Sequence, residues 1–144
     1  MDDRFSRMRW MVGDDGIAKL QNSFVVVIGL GAVGSYAAET LVRAGVGRVR
    51  LVDFDVVGES NLNRQLYALE STIGQKKTDV ARARCLDINC GCDVEVMDCF
   101  FEEATADDIL GDVISMDFEG GGLVVDAIDS LGPKLDLAWE CHER

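Results

Sequence analysis

Apolar and polar positions follow two rhythms along this chain. Val25-Val26-Val27-Ile28 is an unbroken apolar run, short enough to predict a buried strand. From Ser35 to Ala44, apolar residues fall at helical spacing through Tyr36, Ala37, Leu41 and Ala44. Gly45 stands where a helix ends. Arg48 to Asp53 predicts a second strand, finishing in an acid. A polar stretch, Ser60-Asn61-Leu62-Asn63-Arg64-Gln65, is too rich in amide and charge for a core. Val80, Ala81, Ala83, Leu86 and Ile88 predict a helix reaching about Asn89, and the alternation of Asp93 to Met97 predicts a strand. Thr105 to Leu110 predicts a short helix, with Thr105 or Asp107 near its cap. Phe118 to Gly122 reads as a loop. The run Leu123 to Asp129 predicts a last strand buried on both faces, followed by a helix from Leu131 to His142 with Pro133 in its first turn.

Strands alternate with helices throughout. That pattern predicts an α/β, Rossmann-like fold: a mainly parallel sheet with helices on both faces and right-handed crossovers. Residues 1–22 read as an N-terminal arm of one or two short helices, interrupted at Gly13-Asp14-Asp15-Gly16. Residues 23–144 read as one nucleotide-binding domain. The chain stops after the fourth strand and its helix, where a sheet of this kind commonly continues, so the expectation is the N-terminal portion of a longer domain.

Composition narrows the class. The chain has 144 residues, of which 48% are hydrophobic, enough for a core. No apolar run approaches the roughly 18 residues of a membrane span. Met1 to Trp10 lacks the apolar stretch of a signal peptide. The expectation is a soluble cytoplasmic protein with no membrane partner. A net charge of −12 excludes a surface that is basic all round. Local basic clusters remain at Arg4, Arg7 and Arg9 and at Lys76, Lys77, Arg82 and Arg84. The five cysteines include no CxxC pair, and reduced thiols are expected. His142 is the sole histidine, which argues against a histidine-based metal site or triad.

The chemistry concentrates where the first strand meets its helix. Gly29-x-Gly31-x-x-Gly34 lies between them. In such a turn the first glycine allows the tight bend, the second lets backbone approach a phosphate, and the third lets helix pack on strand. Asp53 ends the second strand, where a ribose-binding acid is expected. These features admit a nucleotide site, including that of a NAD-dependent oxidoreductase, as well as a ligand-free glycine-rich turn. Arg64 and Lys77, both following the second strand, are more than a NAD site requires.

Five segments in order, GLGAVGS (29–35), LVDFD (51–55), SNLNRQ (60–65), GQKK (74–77) and VVDAIDS (124–130), resemble the adenylate-forming core of the ubiquitin-activating-enzyme superfamily. That superfamily includes the molybdopterin-synthase and thiamine-biosynthesis adenylyltransferases. Arg4-Phe5-Ser6-Arg7, Asn63 to Leu69, and Asp126 to Ser130 followed by Pro133-Lys134 are similar to its tRNA threonylcarbamoyladenosine dehydratase branch. The resemblance implies ATP and Mg²⁺ as cofactors and tRNA as a partner. It also implies activation of a threonine carboxylate by adenylylation, followed by ring closure. By resemblance, Gly29, Gly31 and Gly34 shape the nucleotide turn, Asp53 binds the ribose, and Asn61, Arg64 and Lys77 hold phosphates. Asp129 ligates Mg²⁺, and Arg7 reaches into the partner's site across a homodimer. Relatives of the dehydratase type place a functional cysteine, and relatives that use zinc place their paired CxxC motifs, beyond the point that corresponds to the end of this sequence. Residues 116–122 look like a modest insertion relative to that family. Two further readings stand beside this one. The first is an adenylyltransferase that activates the C-terminus of a ubiquitin-like sulfur carrier or sulfur-transfer partner. The second is a non-catalytic binding or dimerisation module.

Overall fold

Strand β1 (Phe24–Ile28) is the axis of the molecule, and its side chains alternate between two cores. A computed structural model describes residues 3–115 and 121–144. In chain order the elements are α1 (Ser6–Gln21), β1, α2 (Ala32–Ala44), β2 (Arg48–Val52), α3 (Lys77–Ile88), β3 (Asp93–Met97), α4 (Glu103–Ser115), β4 (Gly122–Asp126) and α5 (Leu131–Glu143). Every neighbouring pair is parallel, in the order β3-β2-β1-β4. The Rossmann-like reading therefore holds.

The two-residue period of a strand sends successive side chains to opposite faces. Val25 and Val27 pack with Ala38 and Val42 of α2 and with Ala81 and Cys85 of α3. Phe24, Val26 and Ile28 pack with Ala106, Ile109, Leu110 and Val113 of α4 and with Leu137 of α5. The chain winds outward from β1 through β2 to β3, then crosses back over the other face to place β4 on the far side of β1. That reversal between β1 and β4 opens a crevice at the carboxyl ends of the strands, where ligands bind in open α/β sheets.

Two expectations change. Leu123-Val124-Val125 is not buried on both faces: Leu123 is 63% exposed, because β4 pairs with β1 alone and forms a sheet edge among the described residues. An apolar run does not distinguish an edge from a centre. Helix α4 is longer than Thr105–Leu110 because Val113 extends its buried stripe past Gly111. The N-terminal helical arm breaks at Gly13, where φ is 73°, within the interruption expected at residues 13–16. The proposed insertion and most of the Phe118–Gly122 loop fall at 116–120, outside the described residues.

An ion-pair cluster ties β2 to its neighbours. Arg50, 7% exposed, donates to Glu95 of β3, to Asp112 of α4 (2.6 and 2.8 Å) and to the Ile109 carbonyl (2.8 Å). The Phe24 ring lies under both Arg48 and Arg50, 4.2 and 5.1 Å from ring centre to guanidinium carbon. A buried guanidinium is tolerable only when its donors are filled in this way. Hydrogen bonding from Arg50 holds the Asp112 carboxyl below its ordinary range. A carboxylate depressed on folding adds stability above its unfolded pKa and loses it as pH falls through the folded one. Asp112→Asn is thus expected to lower the melting temperature at pH 7. The gap should begin to narrow as pH falls past the ordinary carboxylate range, and close only once pH has passed the lowered folded-state pKa of Asp112 and the wild-type carboxyl is protonated too. Parallel melting curves across that acid range would refute the assignment.

Candidate nucleotide-binding site

A cavity of about 410 Å³ occupies the crevice. All four strand ends line it: Gly29 and Gly31 after β1, Asp53 to Asp55 after β2, Cys99 to Phe101 after β3, and Asp126 to Ser130 at β4. Arg64, Gln65, Lys77 and Lys134 complete the wall.

The three glycines of the turn differ in what requires them. Gly29 has φ 93°, and a Cβ there would lie 2.5 Å from the Ala127 carbonyl oxygen. At Gly34 a Cβ would sit 1.6 Å from the Gly29 carbonyl oxygen, so the first turn of α2 reaches the strand only without a side chain. Gly31 has no such reason. Its φ of −82° lies outside the left-handed region, and a Cβ would meet nothing nearer than the Gln65 amide nitrogen at 3.6 Å. What a side chain at Gly31 would fill is the cavity, next to the unpaired N–H groups at the start of α2.

Asp53 is 8% exposed and braces the turn. Its Oδ2 accepts the Leu30 N–H at 2.7 Å, and its Oδ1 accepts the Asp55 N–H at 2.8 Å. Each oxygen keeps a further lone pair for a ligand hydroxyl. Lys77 opens α3 with a buried side chain, its Nζ 3.2 Å from Asp55 Oδ2. Arg64 is exposed and donates to uncharged oxygens, the Ser60 carbonyl and Asn63 Oδ1, both at 2.9 Å. No carboxylate pairs with it among the described residues. Asp129 is exposed, and its Oδ1 has a long contact of 3.4 Å from the Ser130 hydroxyl. Among the described residues, no group of three acids, cysteines or histidines is arranged to hold a metal unaided.

Other named residues stand apart from the cavity wall. The Asn61 side chain accepts the Gly58 N–H at 2.9 Å, closing a turn behind Arg64. Arg7 lies on α1 with its guanidinium carbon 4.4 Å from the Trp10 ring centre. The cations of the 76–84 cluster are engaged: Lys76 pairs with Asp98, Arg84 pairs with Glu39, and Arg82 donates to the Val94 carbonyl at 3.3 Å. That stretch is therefore no open basic face.

Several wall residues carried no role in the sequence reading. Lys134 pairs with Asp126 at 2.7 Å, joining the first turn of α5 to the end of β4. Phe54 and Phe100 meet edge to face at 5.1 Å and form an exposed apolar wall beside Asp53. The FD pair after β2 was visible, but its aromatic partner lies 46 positions further on and only topology brings it near. Cys99 also faces the cavity, and burial raises its thiol above the ordinary range, so it stands there as a neutral group. All five cysteines are free thiols.

The ThiF family model matches residues 5–144. The chain belongs to the ThiF family. It is 44% identical over 141 residues to the tRNA threonylcarbamoyladenosine dehydratase of Bacillus subtilis, covering 98% of this chain and 53% of that protein. The Escherichia coli enzyme TcdA, solved in complex with ATP, superposes with a TM-score of 0.87 at 34% identity, covering 97% of this chain and 55% of that one. The adenylyltransferase and sulfurtransferase MOCS3 of Drosophila yakuba is 43% identical over 82 residues, covering 57% of this chain and 18% of that protein. The chain thus spans about half the length of the dehydratase relatives it matches. No described helix is long and apolar enough to cross a membrane.

Proposed function

We propose that this chain carries the ATP site of an adenylate-forming enzyme whose acceptor is the threonyl carboxylate of threonylcarbamoyladenosine in tRNA. The observation that carries the reading is Gly31, a glycine that the protein's own packing does not require and that faces an anion-ready helix start. The dehydratase names of relatives matching nearly the whole chain support the acceptor. The match to MOCS3, confined to 57% of the chain, supports the sulfur-carrier alternative less.

In this reading the turn from Gly29 to Gly34 cradles the phosphates and Asp53 accepts the ribose hydroxyls. Arg64 supplies a fork for phosphate oxygens, and Lys77 a point charge at the α-phosphate. The acceptor carboxylate oxygen bonds to the α-phosphorus while the bond to the departing pyrophosphate breaks. Negative charge meets negative charge in that step, so these two cations work by neutralisation and positioning. The acyl carbon is then attacked from the substrate's own carbamoyl group, and AMP leaves. Asp129 suits Mg²⁺ held mainly by phosphates and waters, because its carboxylate is lightly used; the ion would add charge neutralisation. Asn61 acts by shaping the Arg64 loop. Arg7 acts across a homodimer, where it enters the partner's site.

Thermal stability with ATP–Mg²⁺, set beside NAD, tests the nucleotide reading. A ligand that binds only the native state adds about 2.7 kcal/mol at a hundredfold excess over its dissociation constant. The melting temperature is expected to rise with ATP–Mg²⁺, to stay unchanged with NAD, and to lose the ATP response in Lys77→Ala. A response to NAD alone would overturn the reading.

A further inference from the structure

Ser35 is wholly buried in the first turns of α2, yet its hydroxyl is fully employed. It donates to the Gly31 carbonyl at 2.6 Å and accepts the Leu66 N–H at 3.2 Å. The first partner belongs to the glycine turn. The second lies two residues past Arg64, in the segment that presents it. We propose that Ser35 is a positioning residue for nucleotide binding: its hydroxyl sets the spacing between the glycine turn and the loop that presents Arg64. The proposal rests on the ATP reading above.

The loop is otherwise held from its own side. The Asn61 carbonyl accepts the N–H groups of Arg64 (3.2 Å) and Gln65 (2.9 Å), and Tyr67 buries its ring in the core formed by α2 and α3. These contacts give the loop its shape. They do not tie Arg64 to the phosphate cradle, and Ser35 does. Arg64 itself is exposed and hydrogen-bonds only within its own segment, so its position over the cavity depends on how that segment is moored. Gln65, next along, already faces Gly31. A side-chain hydroxyl bonded four residues back in its own helix is common for serine. Here the same oxygen also accepts a backbone N–H from a segment 31 positions away, which a local helix bond does not explain.

Removing the hydroxyl leaves the half-buried Leu66 N–H without its acceptor and frees the loop to shift. Ser35→Ala is expected to weaken ATP binding about tenfold, the scale of one lost hydrogen bond. The effect should run through Arg64, so a double-mutant cycle measured by ATP titration is decisive. Ser35→Ala should cost affinity in the wild-type background and add little once Arg64→Ala is present. Amide exchange without nucleotide should show faster exchange at Leu66 in Ser35→Ala, with the core strands unchanged. Additive losses in the cycle, or unchanged affinity in Ser35→Ala, would overturn the proposal. If Arg64→Ala binds ATP as wild type does, the ATP site reading fails first, and this proposal falls with it. If Leu66 exchange does not respond to Ser35→Ala, the mooring itself is refuted whatever the nucleotide result.

Discussion

Gly31→Ala is expected to abolish the ATP-dependent rise in melting temperature while the unliganded protein melts within a few degrees of wild type. A single methyl at this point meets only the Gln65 amide, at ordinary contact distance, so native packing has little to lose. The same methyl projects into the cavity where the proposed phosphates approach the start of α2. Loss of close backbone approach should raise the dissociation constant by about a hundredfold or more, since several N–H contacts fail together. Retained ATP binding in Gly31→Ala would mean that the phosphates lie elsewhere in the cavity.

The opposite result is expected three residues on. Gly34→Ala places a Cβ 1.6 Å from the Gly29 carbonyl oxygen and 3.2 Å from the Ala127 side chain. Neither neighbour is a flexible tip; one is backbone in the turn and the other sits after β4. Relief requires α2 to move off β1, opening the core around Ala38 and Val42. A cost of about 3 kcal/mol or more is expected from such overpacking. That corresponds to a fall of roughly 6–12 °C for a domain of this size. The two substitutions are the same chemical change in the same motif, so the contrast separates a ligand-facing glycine from a packing one. Equal effects on stability would show that this division of labour is wrong.

How much of this was legible in advance depended on the range of the interaction. The β1–turn–α2 unit was readable because its signals are local: a β-branched run, three spaced glycines, and helical periodicity. Asp53 was readable as a strand-end acid, but its bracing of the Leu30 and Asp55 amides was not, since no periodicity reports hydrogen-bond partners. The edge exposure of β4 was misread because sheet order follows from crossovers rather than from the strand's own residues. Helix α4 was cut short because Gly111 and Asp112 interrupt its apolar pattern, whereas Asp112 is there to meet Arg50. Phe100 and Ser35 were given no role for a common reason: each matters through a partner far away in sequence. The basic cluster at 76–84 was visible as a local concentration of charge, but its acidic partners lie on other elements.

The pairing of β1 with β4 has a bearing on how the site comes into being. Phe24 aligns with Gly122 and Ile28 with Asp126, and the Ala127 N–H donates to the Ile28 carbonyl at 2.9 Å. This contact closes a loop of roughly a hundred residues, whose entropy must be met before the contact yields anything. The glycine turn can form early, within the first βαβ unit. The opposite wall arrives only once β4 has been made and has docked beside β1. If the cavity takes a nucleotide as proposed, its affinity waits on the pairing of β4 with β1, and the appearance of that affinity during refolding would time the docking of β4.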